Sequence, residues 1–287
     1  MLFNYGFIMK QIHFCGGLPR SGSTVLMNIL QQNPKVFTTT TDPFPMNLQR
    51  YFLQRFRVTE SFQAMDAEHA DRATYGMVMG AINGWYSGLT DKPVVISKTR
   101  YWNRVHHLLP DSKKLILIRD LRDVVESFNK INLKLKALHT YETEGTSLYA
   151  AMTESQKFEY HFNRENSLSA SLKEEIPAAM EFWMYEGKKD TIKFIRYEDF
   201  LKNPIDTIRS IYAFLNLNYY EHDLDNISQS EMFEHDNAYF MEKTDHRTKP
   251  SFIKWQPPKR LLSERIHNRI LKEYQWFYEG FYPEELK

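Results

Sequence analysis

Short apolar runs alternate with amphipathic stretches along this chain. The runs have the length and the β-branched content of buried strands, and they fall at residues 12–15, 93–97 and 115–118, with an extended segment at 36–41 and a further strand in TIKFIRYEDF that ends at residues 196–199. Amphipathic stretches between the runs predict helices, because apolar residues recur there at helical spacing. Strands that alternate with helices form parallel βαβ units. We therefore expect an α/β fold in which a phosphate-loop-like parallel sheet of about four or five strands carries helices on both faces.

The organisation of the chain indicates one domain over residues 1–287. No internal repeat and no low-complexity tract interrupts the pattern. Three stretches are expected to lie outside the core: a dispensable leader at 1–10, a polar insert at 132–176 and a loop-rich C-terminal region at 218–257. A helix is predicted at 66–90, and its glycines, which are spaced four residues apart, predict close packing along one helix face.

Composition excludes several classes of protein. The chain is 42% hydrophobic and 25% charged with a net charge of +1, so no overall field favours nucleic acid or an anionic membrane. No run of about eighteen apolar residues and no secretory signal is seen, so we expect a cytoplasmic protein without a membrane span. Cys15 is the only cysteine, which excludes an intramolecular disulfide, and we expect it to be a small buried core residue.

The first predicted strand leads into the sequence GGLPRSGST, which ends at Thr24. Glycine allows positive φ and close backbone approach. A helix that begins near Ser23 presents unpaired N–H groups and the positive end of its dipole, which together bind anions. We therefore expect this loop to bind a phosphate through the backbone N–H groups of residues 21–24 and the hydroxyls of Ser23 and Thr24.

The loop differs from that of nucleotide triphosphatases at one informative position. Gly17, Gly22 and Thr24 match the Walker A spacing, but Ser23 stands where the lysine belongs. That lysine bridges the terminal phosphates, so its absence disfavours a P-loop kinase or triphosphatase. Arg20, inside the loop, supplies a cation instead.

Charged side chains follow the other predicted strands directly. Asp42 follows the segment 36–41, Lys98 follows the strand 93–97, and Arg119 follows the run 115–118. The carboxyl ends of parallel strands share one edge of the sheet, so we expect these three side chains near the loop. For Asp42, a cap on the following turn or helix explains the sequence equally well.

These motifs, in this order, resemble sulfotransferases that use 3′-phosphoadenosine-5′-phosphosulfate (PAPS). The resemblance covers about residues 12–216 and continues weakly to Trp255; it is carried by PRSGST, Lys98, LILIRDLRDVVESF and IRYEDFLKNP. The loop and KPSFIKW are closer to tyrosylprotein sulfotransferases and related bacterial enzymes than to cytosolic small-molecule enzymes. The resemblance implies that a sulfuryl group passes from PAPS to a hydroxyl or amine, leaving 3′-phosphoadenosine-5′-phosphate (PAP), without a metal.

The resemblance also implies roles for individual residues. The donor would be bound by Gly17, Arg20, Ser21, Gly22, Ser23 and Thr24 at its 5′-phosphosulfate, by Arg119 and Ser127 at its 3′-phosphate, and by Tyr197 and Lys249 around the nucleotide. Arg20 and Lys98 would stabilise the charge that grows on the leaving oxygen. For Arg119, a salt bridge at the start of the following helix is the alternative.

The acceptor must lose a proton during transfer. In cytosolic members of the family a histidine stands where this chain has Arg100, which cannot accept one. Tyrosylprotein and heparan sulfotransferases use a carboxylate after the second strand, so the resemblance implies that Asp42 is the base, with His106 and His107 as alternatives. The acceptor class stays open among a peptide tyrosine, a glycan, a lipid and a small molecule, and so does the oligomeric state. A catalytically silent nucleotide-binding relative is a further alternative.

Overall fold

The computed structural model describes residues 10–39, 42, 44–48, 59–99, 109, 111–127, 130, 153, 156, 180, 184, 190–229, 250–258 and 261–287. Several predictions lie outside these residues: the roles of Arg100, His106, His107 and Lys249, the leader before residue 10, and the insert at 132–176 except for Thr153 and Gln156.

The described residues form a five-stranded parallel sheet, as the alternation of strands and helices predicts. Its strands are β1 (Gln11–Gly17), β2 (Val36–Thr38), β3 (Val94–Lys98), β4 (Lys114–Ile118) and β5 (Ile192–Arg196). Their order in the sheet is β2-β3-β1-β4-β5, so β1 is central. The chain crosses from one side of β1 to the other between β3 and β4. Ligands bind outside the carboxyl ends of the strands at such a switch point.

Helices follow the strands in the pattern of a doubly wound fold. They are α1 (Ser23–Leu30), α2 (Phe44–Asn47), α3 (Glu60–Gln63), α4 (Ala67–Leu89), α5 (121–127), α6 (Tyr197–Lys202), α7 (Pro204–Leu215), α8 (Glu264–Glu273) and α9 (Gln275–Phe281), followed by a 3₁₀ helix at Pro283–Leu286. None of the helices in the described part of the chain combines the length and the apolar content that crossing a membrane requires.

The core lies on both faces of the sheet because successive side chains of a strand point to opposite sides. On one face, Leu115 and Leu117 of β4 pack in the apolar cluster that includes α1 and α7. On the other face, Ile116 and Ile118 pack against α5, α8 and α9, and Phe14 of β1 packs against α4. The prediction of helices on both faces is therefore confirmed.

The predicted packing along the glycine face of α4 is wrong for the described residues. Gly76, Gly80, Gly84 and Gly88 all face outward, and a Cβ built on any of them meets no described atom within 4 Å. The helix packs instead through the opposite face, where Val78, Ile82 and Tyr86 are buried. The apolar periodicity, rather than the glycine spacing, decides which face is covered.

Candidate active site

The loop after β1 is pressed against β4. Gly17 ends β1 with φ of 117°, and a Cβ there would lie 2.0 Å from the carbonyl oxygen of Leu117. The next N–H, that of Leu18, donates to the same oxygen at 2.9 Å. Only glycine fits this position, because an L side chain would meet both the backbone of β4 and an unfavourable φ.

The backbone then turns through two more left-handed residues before α1 begins. Arg20 has φ of 63°, which is uncommon for a residue with a side chain, and Gly22 has φ of 84°. Ser21 between them is buried, and its hydroxyl donates to the carbonyl of Leu18 at 2.5 Å. Such strained backbone occurs most often at functional sites. The turn brings the N-terminus of α1 to the carboxyl edge of the sheet.

The start of α1 has the unpaired N–H groups of an anion site. The first helical hydrogen bond is donated by Leu26 to the carbonyl of Gly22 at 3.1 Å. The N–H groups of residues 23–25 precede that bond and point away from the helix at its positive end. Ser23 and Thr24 are both partly exposed there.

Lys98 reaches this helix terminus from the end of β3. Its ammonium donates to the hydroxyl of Thr24 at 2.7 Å. Its backbone N–H donates to the hydroxyl of Thr39 at 2.8 Å, which fixes the end of β3 against the segment that follows β2. The positive charge of Lys98 therefore lies at the N-terminus of α1, next to the loop that follows β1.

Arg20 joins the loop to the predicted 3′-phosphate pair. The guanidinium of Arg119 donates from Nη1 to the backbone carbonyl of Arg20 at 2.8 Å. The side chain of Arg20 donates from Nε to the hydroxyl of Ser127 at 3.1 Å. The sequence predicted Arg20 for the 5′ side alone, whereas its side chain extends to Ser127 on the other side of the loop.

Tyr197, at the end of β5, completes this side of the site. The guanidinium of Arg119 lies over its ring, 4.5 Å from the ring centre. The ring also lies beneath Gly22, where a Cβ would come within 2.7 Å of a ring carbon. The Nε of Arg119 is buried and has no hydrogen-bond partner among the described residues. A guanidinium N–H donor without a hydrogen-bond partner is suited to binding an anionic ligand.

Asp42 lies at the same edge but is 6% exposed. Its Oδ2 accepts hydrogen bonds from the hydroxyls of Tyr86 and Ser97, both at 2.7 Å. Its Oδ1 accepts from the N–H of Phe44 at 3.0 Å, which is the cap on the following helix that the sequence allowed. Its own N–H donates to the carbonyl of Lys98 at 3.0 Å.

Sequence reasoning missed the partners of Asp42. Burial, reinforced by the charge of Asp42, raises the pKa of Tyr86 well above its ordinary value, so its phenol stays protonated and donates. Tyr86 belongs to the apolar stripe of α4, where an aromatic residue looks like ordinary core. The only hint in the sequence is that a buried tyrosine hydroxyl needs a partner.

The thiol of Cys15 lies at the end of β1, next to the loop. Burial raises the pKa of the Cys15 thiol to about 12, although nearby Lys98 lowers it, so the thiol stays protonated. Cys15 is the buried core residue that the sequence predicts. Within the described part of the chain, no group of three or more histidine, cysteine, aspartate and glutamate side chains is arranged to hold a metal ion.

The fold and the loop after β1 define the class of this protein: it is a parallel α/β protein in which Ser23 stands where the loop of nucleotide triphosphatases has a lysine. The sequence profile of the sulfotransferase family matches residues 13–221. Because the match spans most of the chain, this protein belongs to the sulfotransferase family. A comparison with curated proteins finds no significant match.

Two sulfotransferases are among the solved structures that this fold resembles. The sulfotransferase domain from the curacin biosynthetic pathway is 16% identical with a TM-score of 0.54, and the match covers 93% of this chain and 97% of that domain. Sulfotransferase STF9 from Mycobacterium avium is 14% identical with a TM-score of 0.50, and the match covers 96% of this chain and 77% of that one. At these identities the comparisons establish the fold.

Proposed function

We propose that this sulfotransferase takes its sulfuryl group from PAPS and transfers it to a hydroxyl or amine of an acceptor. PAPS carries two separate anionic groups, the 5′-phosphosulfate and the 3′-phosphate. The observation that carries the proposal is the double contact of Arg20, whose carbonyl binds Arg119 and whose side chain binds Ser127. This contact joins a helix-terminus anion site to a second cationic site, as a donor with two anionic ends requires.

The residues at both ends of the proposed donor site fit the 5′-phosphosulfate and the 3′-phosphate of PAPS. At the 5′ end the loop offers the backbone N–H groups of residues 23–25 and the ammonium of Lys98 beside Thr24. At the 3′ end Arg119 offers a permanently charged guanidinium with a buried, unpartnered Nε. The ring of Tyr197 lies against that guanidinium, which supports its proposed role beside the nucleotide. Lys249, outside the described residues, keeps its proposed role of covering the nucleotide.

The proposed reaction is an in-line displacement at sulfur. A bond forms between the acceptor oxygen or nitrogen and sulfur while the bond from sulfur to the 5′-phosphate oxygen breaks. The electron pair of the broken bond stays on that oxygen, and PAP leaves. Lys98 and the N-terminus of α1 oppose the negative charge that grows there, and such stabilisation with correct positioning supplies most of the rate in loose transfers of this type.

The acceptor proton is proposed to pass to Asp42. Its position supports this assignment, because its N–H binds the carbonyl of Lys98 and thereby holds the carboxylate at the carboxyl edge of β3. Its carboxylate also holds the hydroxyls of Tyr86 and Ser97. A role as base and a role in holding Tyr86 predict different results for the substitution Asp42→Asn.

Calorimetric titration tests the proposal directly. The purified protein is titrated with PAP, with adenosine 5′-monophosphate and with ATP plus Mg²⁺. We expect PAP to bind at least tenfold more tightly than the monophosphate, because a charged hydrogen bond to the 3′-phosphate contributes about 1.5–3 kcal/mol. Preferential binding of ATP plus Mg²⁺ would support a nucleotide kinase or triphosphatase instead. Turnover of labelled PAPS with a panel of phenol, sugar, lipid and amine acceptors then separates an enzyme from a silent relative.

A further inference from the structure

A carboxylate stands next in sequence to each residue proposed for the 3′-phosphate side of the site. The pairs are Arg119 with Asp120, Ser127 with Glu126, and Tyr197 with Glu198. All three carboxylates accept hydrogen bonds from the C-terminal segment, residues 261–287. That segment is more than 60 residues distant in sequence from each carboxylate, so tertiary folding brings them together.

Asp120 is bound by the hydroxyl of Tyr278, which donates to its Oδ1 at 2.9 Å. The guanidinium of Arg122 binds the same carboxylate and also pairs with Glu285 in the last turn of the chain. Burial and the charge of Asp120 raise the pKa of Tyr278 well above its ordinary value, so the phenol remains a donor. These contacts hold the backbone at the residue that follows Arg119.

Glu126 is bound by the backbone at the start of the same segment. The N–H groups of Leu261 and Leu262 donate to its Oε1 at 2.6 and 3.0 Å. Burial alone would raise the pKa of Glu126, but the nearby His267, whose Nε2 lies 3.7 Å from its Oε1, and these two N–H groups outweigh burial and lower it. Glu126 is therefore ionised at neutral pH, and it fixes α5 at the residue before Ser127.

Glu198 binds both the C-terminal segment and the residue that follows Arg119. Its Oε2 accepts from the hydroxyl of Tyr282 at 2.7 Å, and its Oε1 accepts from the N–H of Asp120 at 3.2 Å. Burial and the charge of Glu198 raise the pKa of Tyr282, so this phenol also stays protonated. One carboxylate thus ties the start of α5 to the start of α6, the two points that carry Arg119 and Tyr197.

Apolar packing brings the segment up to the phosphate-binding loop itself. Leu18 of the loop shares one buried cluster with Ile118 of β4 and with Ile266, Phe277 and Tyr282 of the segment. The segment therefore contacts the loop side of the sheet through a dry core and the 3′ side through hydrogen bonds to carboxylates.

We propose that residues 261–287 position the 3′-phosphate side of the nucleotide site, with Tyr278 and Tyr282 as positioning residues that act through Asp120 and Glu198. The inference rests on the proposed function, because it assigns the support of the site that would bind the 3′-phosphate of PAP. Asp120 and Glu126 are buried and Glu198 is half-buried, and carboxylates held by several donors in such places are rigid anchors because leaving a donor or acceptor unpaired carries a desolvation cost. Rigid anchors beside Arg119 and Tyr197 fix the geometry in which they meet a ligand.

The test compares two nucleotides that differ only in the 3′-phosphate. Tyr278→Phe, Tyr282→Phe and the double variant each remove hydroxyls and keep the rings. Calorimetry gives the affinity for PAP and for adenosine 5′-monophosphate, and the ratio of the two reports the 3′-phosphate site. Tyr75→Phe is the matched control, since Tyr75 is 63% exposed on α4.

We expect each variant to lower the ratio about three- to tenfold, as loss of one buried hydrogen bond implies, and the control to leave it unchanged. Thermal denaturation is measured on the same samples. A purely structural role for the segment lowers the melting temperature and leaves the ratio at the wild-type value, and that result overturns the inference. If the wild-type protein itself fails to prefer PAP, the proposed function fails, and the inference fails with it.

Discussion

Substitution of Gly22 by alanine tests how the loop and the 3′ side depend on each other. Gly22 caps α1 with φ of 84°, and an added Cβ would lie 2.7 and 2.8 Å from two carbons of the Tyr197 ring. The ring belongs to a side chain that can move, so the protein should still fold. Movement of the ring, however, withdraws it from Arg119, which lies 4.5 Å from the ring centre.

The magnitude follows from two contributions. An L residue in the left-handed region costs roughly 1–2 kcal/mol relative to glycine. Loss of the contact between Tyr197 and Arg119 costs about 0.5–1 kcal/mol. We therefore expect Gly22→Ala to lower the free energy of unfolding by about 2 kcal/mol and to weaken PAP binding about tenfold, since Arg119 is displaced from its present position.

Urea denaturation and calorimetric titration with PAP measure the two effects. Gly80→Ala is the matched control, because Gly80 is exposed inside α4 and its Cβ would meet no described atom within 4 Å. The control should raise stability by roughly 0.5–1 kcal/mol and leave PAP affinity unchanged. The reasoning is refuted if Gly22→Ala loses stability but binds PAP as tightly as the wild type, or if it stabilises the protein as the control does.

Four further outcomes are expected. Arg119→Ala should weaken PAP binding by about 1.5–3 kcal/mol in calorimetry, and unchanged affinity would remove Arg119 from the 3′ site. Lys98→Ala should lower kcat more than PAP affinity, since its charge acts on the leaving oxygen, and the reverse pattern would make it a binding residue. Asp42→Asn should abolish transfer to an alcohol from labelled PAPS if Asp42 is the base, whereas turnover that persists with reduced stability would leave it the role of holding Tyr86. Burial and two nearby lysines lower the pKa of His13 from 6.5 to about 4, so the unfolded chain binds this proton more tightly than the folded protein does. The contribution of His13 to the free energy of unfolding should therefore be fully present above about pH 6.5 and reduced by about 3 kcal/mol near pH 4. Urea denaturation at several pH values measures this loss, and the variant His13→Leu should not show it.

Much of the fold was readable from the sequence because buried parallel strands are short continuous apolar runs. The run at 93–97 predicts β3, observed at Val94–Lys98, and the run before Arg119 predicts β4, observed at Lys114–Ile118. The rule that strand ends meet at one edge then predicted that Lys98 lies near the loop, and its ammonium contacts Thr24 there.

Contacts that depend on side-chain direction or on distant chain segments were not readable. The positive φ of Arg20 turns its side chain toward Ser127, and no local pattern marks an arginine for that conformation. Asp120 looked like an ordinary acidic residue at a helix start, which it also is, but its partner Tyr278 is 158 positions away. Hydrophobic periodicity reports which face of an element is buried, and it carries no information on which distant hydroxyl meets a buried carboxylate.

The double role of Arg20 means that the two ends of the proposed donor site are not independent. Its carbonyl accepts from Arg119 and its Nε donates to Ser127, so the backbone that presents the 5′ anion site is held by the residues proposed for the 3′ site. Removal of the Arg119 side chain takes this donor away from the Arg20 carbonyl and also removes the proposed contact with the 3′-phosphate. Part of the loss in Arg119→Ala therefore belongs to the loop, and the contributions of the two ends to PAP affinity should not add, as is usual for residues that share a hydrogen-bond network.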